Sequence, residues 1–243
     1  LALTELQPGV PFERARITHD KTVLMRFYGE RGYLEQRYFE DDRAGGARFL
    51  EPDVTYDWQA HEAHVTYRLV QGRKRFIGEV KVNGNTYTAD KVIRRELDFM
   101  PGELANIQQI ERGLARVRGT GFFEDPYDPT HIPPIVVFQM DEQDPDTIDV
   151  EYRLSEGRVV DFNISGGVAS DSGIVGLITL SMRNFAIANP PSGLFSAPGE
   201  IYRKEAFHGN GEQFALDLSP GSEVSFWRVM YAFPDVLGTH HDR

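Results

Sequence analysis

The sequence predicts an α+β chain: two tandem β-α-α-β-β units, the first incomplete at its N-terminus, followed by a run of antiparallel strands. Three observations predict it. The stretch VTYRLVQGR (Val65–Arg73) returns 85 residues later as VEYRLSEGR (Val150–Arg158), the same strand with the same Gly-Arg exit. Upstream of each copy a helical segment runs into glycine and an aromatic residue, Gly32-Tyr33 and Gly121-Phe122, at an offset of 89. From Arg158 onward the chain alternates apolar and polar residues with a period of two, and no helix signal intervenes. A repeat near 85 residues is too long for a common solenoid and suits a small α+β domain. The expected domains are therefore 1–72, 73–157 and 158–243.

The second unit reads completely. Its opening strand, RFIGEVKVNGN, sets Phe76, Gly78, Val80 and Val82 against Ile77, Glu79 and Lys81 and ends in an Asn-Gly turn. Thr88 is placed to cap a helix carrying Val92, Ile93, Leu97 and Met100. Pro101-Gly102 breaks it, and Ile107, Ile110, Leu114 and Val117 recur at helical spacing in the next helix. Gly121 can take the left-handed conformation that ends a helix, letting Phe122 and Phe123 enter the core as a strand begins. Ile135–Glu142 and Thr147–Leu154 then form a hairpin around Asp144-Pro145-Asp146. The expected core joins Val80, Val92, Ile110, Leu114, Phe122, Val137 and Val150.

The first unit starts late. LALTELQPGVPF matches the second copy only from the end of that copy's first helix, so an opening strand and most of a helix are missing. With no initiator Met, the chain is expected to be a fragment.

In the last third, Val160, Phe162 and Ile164 alternate with Asp161, Asn163 and Ser165. Ile178, Leu180 and Met182 alternate with Thr179, Ser181 and Arg183, and Phe214, Leu216 and Leu218 with Gln213, Ala215, Asp217 and Ser219. The turns at Ala169–Gly173 and Ser219–Ser222 are short and polar. A fourth segment, EVSFWRVMYAF, is strand-like but apolar on both faces, so its sides stay unassigned. Alternation fits a soluble sandwich, where the apolar face is core, or a membrane barrel, where it meets lipid.

The residues GGVASDSGIVGLITLSMRNF and FHGNGEQFALDLSPGSEVSFWRVMYAFPDVLG resemble the opening of the barrel in the BamA-like outer-membrane β-barrel assembly family. Asn184-Phe185, Gly209-Asn210-Gly211 and Phe233-Pro234 stand at that family's places. The β-α-α-β-β units resemble its polypeptide-transport-associated (POTRA) domains, including the YxxxGY helix exit at Tyr28–Tyr33. The resemblance implies POTRA domains at 1–72 and 73–157, and from 158 the first strands of a transmembrane β-barrel. Ala186–Ala206 departs from the family, where Asn-Phe runs almost directly into the Gly-x-Gly turn. Strand counting puts this insertion on the periplasmic side, where barrel turns are usually short.

Composition excludes several functions. The net charge of −11 argues against a nucleic-acid surface, and the absence of cysteine removes thiolate chemistry and disulfides. No stretch reaches the roughly 18 apolar residues of a membrane helix, and the N-terminus lacks the pattern of a signal peptide. His19, His61, His64, His131 and His208 are expected at the surface, and His240-His241-Asp242 in a solvated turn. Ser170-Asp171-Ser172 has no histidine at a motif distance, and Gly209-Asn210-Gly211 is too short for a phosphate loop. DEQDPD lacks the spacing of a calcium loop. No catalytic residue, metal site or cofactor is expected.

What remains is binding by backbone. In each unit the penultimate strand is an edge: Asp53–Trp58 in the first, and Ile135, Val136, Val137, Phe138, Gln139 and Met140 in the second. Such an edge can take an extended peptide by strand addition. By the resemblance, the first barrel strand, with Val159, Val160, Asp161, Phe162, Asn163 and Ile164, belongs to a lateral seam where client strands pair. The resemblance implies a factor that folds and inserts outer-membrane β-barrel proteins, with POTRA domains in the periplasm. Its partners would be unfolded outer-membrane proteins, assembly-machine lipoproteins and outer-membrane lipid. A two-partner secretion translocase or a soluble periplasmic POTRA-like scaffold are the alternatives.

Overall fold

The computed structural model describes residues 3–141, 143–169, 173–221 and 225–234. Helix α1 (Arg14–Gly29) is followed by two short strand pairs: β1 (Arg48–Phe49), β2 (Asp53–Asp57), β3 (Glu62–Thr66) and β4 (Leu69–Val70). Strand β5 (Phe76–Asn83) leads through helices α2 (Asp90–Arg94) and α3 (Ile107–Gly119) to β6 (Ile135–Met140) and β7 (Thr147–Arg153). The last third holds β8 (Val160–Ala169), β9 (Gly173–Phe185), helix α4 (Ala197–Tyr202), β10 (Glu212–Ser219) and β11 (Phe226–Ala232). The sheets run β1-β4, β2-β3, β5-β7-β6 and β11-β10-β9-β8. The expected β-α-α-β-β order is thus present in the second unit. Among the described residues no helix is long and apolar enough to cross a membrane.

The chain divides into two compact units. One is built from Leu1–Lys81, Asp98–Gly113 and Val136–Tyr152, the other from Val82–Leu97, Leu114–Ile135 and Arg153–Arg243. The division runs through the stretch expected as the 73–157 domain.

In the first unit, the repeated tyrosine explains why the strand is written twice. Tyr67 donates from its hydroxyl to Asp20 of α1 at 2.7 Å, and Tyr152 donates to the carbonyl of Ile110 in α3 at 3.1 Å. Each copy uses the same residue to tie its chain to a helix, Tyr67 from the break between β3 and β4 and Tyr152 from within β7. Asp20, fully buried, also accepts from the backbone of Glu5 and Leu6 and so fastens the N-terminal segment. Ile77, Val80, Ile110, Val137, Phe138, Ile148, Val150 and Tyr152 are buried.

The repeated Gly-Arg exit also has a packing reason. Gly72 lies against the backbone of Gly45 and Gly46, and in the second unit Gly157 lies so close to Glu124 that a Cβ would fall 2.0 Å from its carbonyl oxygen. Both helix exits hold glycine at positive φ, Gly32 at 87° and Gly121 at 68°.

Several local expectations are corrected. Thr88 caps nothing: α2 begins after Ala89 without a side-chain cap, and Thr88 is buried in another role. That helix is five residues long and does not reach Met100, which is exposed. In β5 the buried residues are Ile77 and Val80, three apart, so the expected alternation is not followed; Ile77 also exchanges backbone bonds with Gly102 and Glu103. Phe122 and Phe123 are buried as expected, but no strand starts there; β6 begins only at Ile135, after the proline-bearing segment 124–134. Tyr33 is half-buried, and Leu34 takes the core position instead. Leu114 is half-buried, while the other six expected core residues are buried.

Candidate functional site: open strand edges and the junction that holds them

Strand β8, which with Val159 was expected as a seam, is the terminal strand of its sheet, paired on one side only by β9. Arg183 donates its backbone N–H to the carbonyl of Val159 at 2.8 Å. Backbone groups alternate direction along an antiparallel strand. Val159, Asp161 and Asn163 therefore point theirs at β9, and Val160, Phe162 and Ile164 point theirs to the open side. Consistent with this, the carbonyl of Val160 accepts from the Arg158 side chain at 3.0 Å.

The register sorts the sheet into rows. Val160, Met182, Phe214 and Tyr231 stand abreast, as do Phe162, Leu180, Leu216 and Val229, and Ile164, Ile178, Leu218 and Trp227. On the other face Asn163, Thr179, Asp217 and Arg228 form a row, with Asp161, Ser181, Ala215 and Met230 beside it. The register also settles the fourth segment: Trp227, Val229 and Tyr231 join the apolar face. That face is open, with Phe162 58%, Ile164 68% and Trp227 71% exposed. A sandwich core would have covered it; a barrel wall presents it to lipid.

A junction at one end of this sheet carries the motif residues. Asn184 is fully buried and sits at φ 59°, a left-handed conformation that asparagine tolerates better than most residues. It makes a β-bulge: between the Glu212–Phe185 and Phe214–Met182 pairs, one residue of β10, Gln213, opposes two of β9, Arg183 and Asn184. The bulge shifts the phase, so Phe185 joins the apolar face and stacks on Phe214 at 5.2 Å and Phe207 at 5.1 Å.

The Asn184 side chain bridges three segments. It donates to the Thr88 hydroxyl at 2.8 Å, accepts from the Gly211 N–H at 2.8 Å, and lies 3.4 Å from the His208 Nε2. Its backbone carbonyl accepts from Gly209 at 2.9 Å, and the Gly209 carbonyl accepts from Ala89 at 2.8 Å. Gly209 has φ 108°, and a Cβ there would lie 2.2 Å from the Tyr87 carbonyl oxygen, so only glycine fits. Glu156 accepts from the N–H groups of Tyr87 and Thr88 at 2.9 and 2.6 Å. Sequence reading placed Asn184 and the Gly-x-Gly in one motif; it missed Thr88, Glu156 and His208 as their partners.

His208 is buried, against the expectation of a surface residue, because the chain crossing back from residues 186–206 brings it beside Phe185. Burial pushes its imidazole down to about 4, a shift that Glu156 opposes and Lys204 reinforces. His61 sits in the β2–β3 turn at φ 56°, and His64 in β3 is exposed. Ser170, Asp171, Ser172, His240, His241 and Asp242 lie outside the described residues.

The other expected edge, β6, does end its sheet. Its middle is already engaged, since Phe39 forms a parallel bridge to Phe138 and the two rings meet at 5.8 Å. Val137 and Phe138 are buried, Val136, Gln139 and Met140 half-buried, and Ile135 exposed. In the first repeat, β2 forms the edge of a two-stranded ribbon with β3.

Taken together, a β-α-α-β-β order followed by barrel-type strands is the element order of a POTRA–barrel protein. The chain matches the POTRA family, described as a surface antigen variable number repeat, over residues 76–157. It is 30% identical over 172 residues to the outer membrane protein assembly factor BamA of Neorickettsia risticii (strain Illinois), covering 70% of this chain and 20% of that protein. It is 24% identical over 174 residues to the BamA of Neisseria meningitidis serogroup B, covering 71% and 19%. The crystal structure of BamA from Haemophilus ducreyi lacking POTRA domains 1–3 superposes with a TM-score of 0.72 at 18% identity, over 98% of this chain and 37% of that one. The chain is thus similar, in its POTRA match and in its fold, to the BamA-like outer-membrane β-barrel assembly family. It spans about a fifth of the length of these two curated relatives.

Proposed function

We propose that this chain works in the assembly of outer-membrane β-barrel proteins, with its POTRA units in the periplasm and β8–β11 in the outer membrane. The open side of β8 is the seam at which a client strand pairs. The observation that carries this reading is the outward backbone of Val160, Phe162 and Ile164 on a terminal strand whose side chains alternate between an apolar and a polar face. Pairing through main-chain hydrogen bonds tolerates sequence, which many clients require. The edge of β6 is the second peptide-binding strand, with its free end at Ile135 and Val136. Unfolded outer-membrane proteins, assembly lipoproteins and lipid are the partners.

The test uses the full-length protein in vesicles and a urea-denatured barrel client. Ile164→Pro removes a donor on the open side and leaves the β9 ladder intact. It should slow client insertion several-fold, while Ile164→Val should not. Equal insertion by both variants would refute the seam.

A further inference from the structure

The insertion at residues 186–206 is an ordered lobe, not a slack loop. Its neck is closed by the Phe185–His208 bridge, by the Ala186 N–H donating to Phe207 at 3.1 Å, and by the Asn189 side chain donating to Glu205 at 3.0 Å. Its tip is also tied. Ser192 donates its N–H to Glu200 at 2.8 Å, and Ala197 donates to the Gly193 carbonyl at 3.0 Å. This leaves Leu194 and Phe195 outermost, Leu194 92% exposed and Phe195 fully so. Ile187 and Tyr202 are exposed as well.

One charge lies at the base of that tip, the Glu200 carboxylate, which is taken up by hydrogen bonds from Ser192 and Ser196. Residues 186–199 contain no ionisable side chain. Arg203 pairs with Glu205 at 2.8 Å, and Lys204 donates to the Gly157 carbonyl at 2.7 Å. A pinned turn that holds a bare, uncharged Leu-Phe pair outermost has no reason to present it to water.

Its place in the sheet names what it faces. Phe207, the last neck residue, stacks on Phe185, and Phe185 also meets Phe214 and Tyr231. These four rings sit on the apolar face at one end of β9–β11. Aromatic rings gathered at the end of a barrel's apolar band mark the membrane–water interface. The lobe thus leaves the sheet from the lipid side at interface height.

We propose that residues 186–206 are an interfacial anchor whose Leu194–Phe195 tip is seated at the headgroup–acyl boundary of the leaflet on this side. Uncharged aliphatic and aromatic residues are what that boundary accepts. The proposal rests on the barrel reading of β8–β11, and the test separates the two.

This stretch has no cysteine, so in a full-length protein with any cysteine elsewhere replaced by serine, Phe195→Cys and Phe162→Cys can each carry one environment-sensitive dye. Each is reconstituted into vesicles of phosphatidylethanolamine and phosphatidylglycerol. The label at 195 should be quenched by shallow lipid nitroxides, and its iodide quenching constant should fall several-fold below that of a label at Gln59→Cys. Iodide access at 195 equal to that at 59, with lipid quenching retained at 162, would overturn the anchor alone. Protection at 195 that arises only when a soluble protein is added would also overturn it, and would make the lobe a protein-docking loop. Water at both 195 and 162 would sink the barrel reading and the anchor with it.

Discussion

Asn184 and Thr88 stand 96 residues apart in sequence, and the amide of one donates to the hydroxyl of the other at 2.8 Å with both side chains buried. Through this bond the segment leading into α2 grips the end of β9. The bond also forces the choice of residue: a buried hydroxyl that loses its donor costs about 1–3 kcal/mol.

Removing that grip should therefore be measurable locally. Asn184→Ala strands Thr88 and the Gly211 N–H and places alanine at positive φ, so a loss of about 2–4 kcal/mol is expected. Asn184→Gly relieves the backbone part only and should fall between the two. Gly209→Ala drives a Cβ into the Tyr87 carbonyl and should be at least as damaging as Asn184→Ala. Hydrogen exchange at the Gly209 and Gly211 amides checks all three. Protection unchanged in Asn184→Ala would remove the junction from this account.

His208 gives the junction a pH dependence. Its folded-state value lies near 4, below the ordinary 6.5, so the unfolded chain binds the extra proton between those limits. The stability it contributes is complete above about 6.5 and is lost as pH falls toward 4. Unfolding followed from pH 7.5 to 4 should show this slope, and His208→Gln should flatten it. An identical slope in the variant would assign the loss to other groups.

The two faces of the sheet should respond differently to charge. Phe162→Lys or Leu216→Lys should cost about 2–4 kcal/mol if the position sits near the bilayer midplane, and less near an interface. Asn163→Lys, on the polar row with Thr179 and Asp217, should be nearly silent. Folding free energies of the three variants in vesicles decide it; equal costs on both faces would contradict the row assignment.

On β6, Phe39 occupies part of the edge that a peptide would use. Extended client segments should shift the amide signals of Ile135 and Val136 first. Phe39→Ala should strengthen the binding, since it weakens a competitor for the same backbone. Binding unaffected by Phe39→Ala, or no shift in Ile135–Met140, would show that this edge is not a peptide site.

Much of this was legible in the sequence because the signals were periodic or repeated. The Tyr67/Tyr152 strand and the Gly32/Gly121 exits announce two copies of one unit, and β8–β10 announce their faces by alternation. Side chains that answer to distant partners were not legible. Thr88 looks like a helix cap, and only the fold brings Asn184 to it. The bulge at Asn184 is hidden in a strand whose alternation would otherwise set Phe185 beside Arg183. The fourth strand, apolar on both faces, has no phase of its own and takes one only from its pairing with β10. His208 looks like a surface residue until the lobe's neck folds it beside Phe185.

The central claim is that β8 pairs with client strands through its open side. It is tested most directly by disulfide cross-linking in the full-length protein, which offers no cysteine of its own in this region. One cysteine replaces Asn163, and single cysteines are stepped along the terminal strand of a stalled barrel client. A cross-link is expected at one client position, moving by two residues when the β8 cysteine is moved to Asp161 or Ser165. Ser181→Cys, on the enclosed strand β9, should give none. Cross-links from Ser181 equal to those from Asn163, or no register dependence along β8, would contradict the claim.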